Sequence, residues 1–210
     1  MENKIKQSDI KRAIKDIQKL DSDLRKLGTP ATPDIIGFYG ELLAWQELKS
    51  KFGWRGYNIR FGSGQSKADI VLKKNERKIN IEVKTSRLKK EQPGMVYGFA
   101  INIKKCKLHP RAIYIHPKKG KIEGDFCYFD YLLIVTLSDD LKKQKFYVFP
   151  RKFLEANKRH LRNKSKHFSS GSHRIIFVEK LKNPEEITSL DKRLSKNKKK
   201  YQNAWHSIKL

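Results

Sequence analysis

The sequence predicts an α/β fold, and three stretches carry that expectation. Residues 67–72 and 78–86 are each of strand length and apolar or alternating, with the polar, turn-like Asn75-Glu76-Arg77 between them, which reads as a β-hairpin. Residues 34–48 place apolar side chains at helical spacing behind a Thr32-Pro33-Asp34 start signal. Residues 129–137 and 145–150 read as two further buried strands, with Ser138-Asp139-Asp140 turning between them.

Ahead of these, Ile5, Ile10, Ile14, Ile17, Leu20, Leu24 and Leu27 recur every three to five residues, as in one or two amphipathic helices ended by Gly28 and two prolines. Residues 52–57 look like a turn into a short strand over 57–61. The glycine-rich loop 62–67 has neither a Walker spacing nor Gly-x-Gly-x-x-Gly, so nucleotide binding is not expected there. Residues 104–121 carry seven Lys/Arg and no acid, with Pro110 and Pro117, and read as a loop-rich basic surface. From Arg151 onward a helix to about 162, a turn at 165–173, a strand at 174–178 and a basic last helix ending near Trp205 are expected.

The 210 residues hold 48 Lys+Arg against 22 Asp+Glu, a formal charge of +26. So large an excess speaks about partners rather than fold, and its natural partner is a polyphosphate backbone. An anionic membrane surface is the weaker candidate, because no segment pairs a basic face with clustered aromatics. The longest strongly apolar run, 131–135, is too short to span a bilayer, and the first residues carry no signal-peptide core. Cys106 and Cys127 form no Cys-x-x-Cys, so neither a disulfide framework nor a zinc site is expected. These features fit a cytoplasmic protein of a microbe.

The chemistry concentrates on the hairpin. Asp69 opens the first strand, while Glu82 and Lys84 are two apart on the second and therefore share a face. In the obvious register the two carboxylates meet with an ammonium beside them. Hard oxygens so placed can hold Mg²⁺, which takes few protein ligands and keeps its waters, for phosphodiester hydrolysis. A solvated charge pair on an exposed strand is the plain alternative for Glu82 and Lys84. Glu41 falls among Phe38, Leu42 and Trp45, close to the buried face of its helix. It needs a metal or a salt-bridge partner there.

Gly37-x-x-Gly40-Glu41 on a helix, then Asp69, then Glu82-Val83-Lys84-Thr85-Ser86 resembles the PD-(D/E)xK nuclease superfamily over residues 34–150. Ala68 stands where the family motif has proline. The resemblance implies a central mixed β-sheet flanked by helices, a restriction-endonuclease-like fold. It makes Asp69 and Glu82 metal ligands, with the Val83 carbonyl as an extra one. Lys84 becomes the catalytic lysine, and Glu41 an accessory ligand or water-holder. The chain then divides into an N-terminal helical segment (1–33), a nuclease core (34–150) and a basic extension (151–210) packed on the core.

On this reading the protein is a Mg²⁺-dependent endonuclease of double-stranded DNA leaving 5′-phosphate and 3′-hydroxyl ends. A type II restriction enzyme is favoured, since the compact chain shows no ATPase or helicase signature, and a homodimer would match a palindromic site. Lys67, Arg87, Lys89, Lys90, Gln92, Lys104 and Lys105 are the expected DNA contacts. A structure-specific nuclease, such as a junction resolvase or repair enzyme, and a non-catalytic nucleic-acid-binding protein are the alternatives.

Overall fold

The computed structural model describes residues 6–62, 68–87, 89–91, 94–102, 113–116, 120–123, 129–156, 172–180 and 199–209. Five strands form the central sheet in the order β1 (Asn58–Phe61), β2 (Ile70–Lys74), β3 (Arg77–Arg87), β8 (Tyr131–Leu137), β9 (Gln144–Pro150). All neighbours are antiparallel except β3 and β8, so the sheet is mixed. Between those parallel partners run β4 (Lys89–Glu91), β5 (Gly94–Asn102), β6 (Ile113–His116) and β7 (Gly120–Glu123). A later strand, β10 (Ser172–Lys180), pairs with β5 in a second sheet. With α1 (Gln7–Lys26) and α2 (Pro33–Phe52) on one face and α3 (Arg151–Ala156) reaching the other, the α/β class with a helix-flanked mixed sheet is the fold the chain adopts.

Each element follows from local chemistry. The hairpin turns through Asn75 and Glu76 alone. Asn75 adopts φ +54°, a left-handed conformation that Asn tolerates in tight two-residue turns. The expected three-residue turn was one too long, because Arg77 already pairs with Lys74. Gly28, at φ +80°, ends α1 in a Schellman arrangement: Gly28 N–H bonds the Arg25 carbonyl and Thr29 N–H the Leu24 carbonyl, each at 3.0 Å. The N-terminal heptad-like pattern thus makes one helix. Alternation along β3 buries Ile79, Ile81 and Val83 under α2, together with Ile59, Ile70 and Leu72 from its neighbours. Strand β8 is buried on both faces, which explains its unbroken apolar sequence.

The stretch 104–121 departs from the loop-rich expectation. Ile113–His116 and Gly120–Glu123 pair antiparallel, so at least this part is a strand pair. Its alternation of apolar and polar residues was masked by the surrounding lysines.

The C-terminal residues close the β9 edge. Gln202 bridges Tyr147, and Asn203 N–H donates to the Phe146 carbonyl at 2.9 Å. Trp205 packs against Phe146, with ring centroids 5.5 Å apart, while Tyr201 packs at a tilt against Phe149 and Phe153 on the opposite face. Among the described residues no helix is long and apolar enough to cross a membrane.

One ion-pair network ties α1 to the sheet. Asp21, only 2% exposed, accepts hydrogen bonds from Arg87 of β3 at 2.6 Å, Arg25 at 2.9 Å and the Ala31 amide at 2.9 Å. Burial pushes the Asp21 carboxyl up, but the three donors outweigh it and hold the group below its ordinary range. Arg25 also clamps Asp139 in the β8–β9 turn. Asp21→Ala would strand Arg87 with no counterion, so we expect a loss of about 3–5 kcal/mol of unfolding free energy, read by urea denaturation at neutral pH.

Candidate active site

The ladder between β2 and β3 ends at Ile70↔Ile81. Beyond it the two strands part, and β3 continues to Arg87 along β8. Extending the register by one step sets Asp69 opposite Glu82, so both carboxylates belong to the same face. Asp69 is anchored at the fork: its Oδ2 accepts the Val83 N–H at 2.7 Å. Because N–H and C=O of one strand residue leave by the same edge, the Val83 carbonyl also faces the Asp69 side. Lys84 follows on the Glu82 face and pairs with Glu82 through Nζ and Oε1.

Helix α2 brings the fourth residue. It lies so close to β3 that a Cβ on Gly40 would sit 1.8 Å from Thr85 Oγ1. Only glycine permits that approach, and the next residue is Glu41. Glu41 is half-buried and within electrostatic reach of Asp69, Lys84 and Glu82. Burial, then repulsion from Asp69 and Glu82, pushes its carboxyl up to about 7 against the pull of Lys84. Glu82 is likewise raised, by burial first and by Asp69, with Lys84 opposing.

The four residues singled out from sequence therefore converge. The expected ligand role is compatible with the donor set: two hard carboxylates on facing strand positions, a third nearby, and like-charge repulsion that a divalent cation would relieve. Among the described residues no group of three or more His, Cys, Asp or Glu is gathered tightly enough to enclose an ion unaided. Mg²⁺ does not require one, since one or two carboxylates with retained waters suffice.

The DNA-contact expectations fare unevenly. Arg87 is not available to a nucleic acid: it is 12% exposed and bound to Asp21. Strand parity explains the correction, because 87 is an odd number of residues from 82 and 84 and so points to the helix-covered face. Lys67, Gln92, Lys104 and Lys105 lie outside the described residues, and of Lys89 and Lys90 only the backbone in β4 is described. Asp130 brackets the start of β8: its Oδ2 accepts the Asn80 N–H at 2.8 Å and its own N–H returns to the Asn80 carbonyl. Gly40 was read from sequence as part of the Gly37-x-x-Gly40-Glu41 motif, but its role in admitting β3 against α2 was not read there.

No protein-family model matches the chain, and no curated protein matches it. Among solved structures, a bacterial homing endonuclease is similar at 16% identity and a TM-score of 0.42, covering 84% of this chain and 92% of its own. MepB is similar at 14% identity and a TM-score of 0.33, covering 74% of this chain and 92% of its own.

A raised carboxyl has a definite sign in stability. Glu41 prefers its proton in the folded chain, so it costs nothing below its unfolded pKa of 4.5, and the cost grows with pH to its full value above about 7. At full value it is about 3 kcal/mol. Glu41→Gln should therefore stabilise the metal-free protein at pH 8.5 by up to about that amount and leave it unchanged at pH 4, as read by urea midpoints with a chelator present.

Proposed function

We propose that this chain is a Mg²⁺-dependent endonuclease that hydrolyses phosphodiester bonds of double-stranded DNA to 5′-phosphate and 3′-hydroxyl ends. The observation that carries the reading is the fork: Asp69 fixed on Val83 N–H opposite Glu82, with Lys84 on the same face and Glu41 delivered from α2. The charge of +26 supports a polyphosphate substrate. Within nucleases we place it with type II site-specific enzymes, acting as a homodimer so that two sites meet two strands.

Asp69, Glu82 and the Val83 carbonyl would hold the ion. Bound there, Mg²⁺ supplies Lewis-acid polarisation of the scissile phosphodiester and a lowered pKa for the attacking water. Lys84 Nζ offsets charge on the phosphate oxygens and orients the water. The Glu41 carboxyl, brought by α2 within electrostatic reach of Asp69, Glu82 and Lys84, would hold that water. The Val83–Asp69 hydrogen bond keeps one carboxylate from rotating away, so the constellation is set before substrate arrives.

The test is digestion of long linear duplex DNA. Discrete fragments that require Mg²⁺ and vanish with a chelator support the reading. Cleavage confined to four-way junctions would replace the site-specific role with a structure-specific one. Lys84→Ala should slow cleavage by about 10²–10³-fold while DNA affinity stays within a few-fold. Undiminished cutting by that variant would refute the mechanism. Mg²⁺ should also raise the melting temperature of the unaltered protein, and Asp69→Asn should abolish that rise, a readout independent of cleavage.

A further inference from the structure

The register divides the three strands β1, β2 and β3 into two faces. One carries Ile59, Ile70, Leu72, Ile79 and Ile81 beneath α2. On the other, the pair Asp69/Glu82 is followed by Val71↔Asn80 and then Lys73↔Lys78, with Arg60 beside Val71 on β1. Arg60, Lys73 and Lys78 are exposed. Over β8 and β9 this same face is closed by buried Leu132, Ile134 and Phe149, so it opens only across the first three strands. Among the described residues of these strands no acid stands on it between Glu82 and the hairpin tip.

Lys73 and Lys78 face each other directly across the ladder. Directly opposed like charges weaken a β-pair. An arrangement that costs the free protein, set beside an arginine and on the same face as the acids, is complementary to a polyanion laid along it. We propose that the open face of β1–β3 is a track for one phosphate strand of the duplex flanking the scissile bond, contacted by Arg60, Lys73 and Lys78. The four residue steps from Asp69 to Lys73 span about 13 Å at strand rise. That is about four base-pair steps of duplex at 3.4 Å each. Lysines here act as point charges on phosphates, so the track positions DNA without reading its sequence.

The inference rests on the nuclease reading for its substrate, but its test is separate. Lys73→Ala/Lys78→Ala in the full chain is compared with the unaltered protein and with Lys11→Ala/Lys15→Ala, which removes two exposed lysines of α1 on the far side of the sheet. Binding of a short mixed-sequence duplex is followed by fluorescence anisotropy over a KCl series. The track variant should bind about tenfold more weakly at low salt. Its log K against log salt slope should be shallower by about two, one per lost phosphate contact. Its melting temperature should match or exceed that of the unaltered protein. An affinity and slope like those of the unaltered protein, or a loss no greater than in the α1 control, would overturn the track. So would tighter binding to a single-stranded oligonucleotide than to the duplex. If the unaltered protein cuts no DNA yet the slope still falls by about two, the nuclease reading fails and the track stands. If it cuts and the slope does not move, the track fails alone.

Discussion

The hydrogen bond from Val83 N–H to Asp69 Oδ2, at 2.7 Å, is the constraint on which the site depends. A β-ladder would ordinarily satisfy that amide with a backbone carbonyl from the neighbouring strand. Here β2 stops pairing after Ile70, and a side chain takes the carbonyl's place. The substitution does two things at once. It ends the two-strand pairing without leaving a buried donor unmet, and it locks a carboxylate opposite Glu82. Strand separation and the placing of an acid are one event.

Helix α2 enforces the same geometry from the other side. Its contact with Thr85 at Gly40 holds the helix against the very segment of β3 that carries Glu82 and Lys84. Two-residue periodicity then sorts the chemistry. Odd positions from Ile79 to Arg87 serve the helix-covered core or the Asp21 network, and the even positions Glu82 and Lys84 lie on the opposite face of the strand.

Much of this was legible in the sequence, because it depends on short-range patterns. The hairpin, the α2 start at Thr32-Pro33 and the two strands flanking Ser138-Asp139-Asp140 all declared themselves through apolar periodicity and turn residues. The shared face of Glu82 and Lys84 was readable from two-residue periodicity, whereas the place of Asp69 opposite Glu82 depends on the two-residue turn, and the expected three-residue turn would have slipped it by one onto Val83. What could not be read was long-range. Asp21 and Arg87 are 66 positions apart, and nothing local marks a surface-patterned aspartate on an amphipathic helix as the buried partner of a strand arginine. Arg87 was assigned to DNA for the same reason, although parity with Lys84 already placed it on the wrong face. The strand pair β6–β7 was hidden because lysines dominate the composition around it.

The distribution of compensated and uncompensated charge separates architecture from function. On the helix-covered face, Asp21 receives three donors and its carboxyl is held in the charged form. On the open face the opposite holds. Glu82 is raised there by burial and by Asp69, with Lys84 the opposing cation; Glu41, reaching the same acids from α2, is raised likewise, and farther along the hairpin Lys73 confronts Lys78. A sequence shaped for stability alone would intersperse these signs, since like-charge neighbours in a sheet subtract from it. Segregating acids at the fork and bases beyond it costs folding energy at both places. Under the proposed function both costs would be relieved by one ligand pair, a hard cation at the acids and a phosphate strand at the bases, so the proposed binding surface accounts for a charge pattern that stability alone does not.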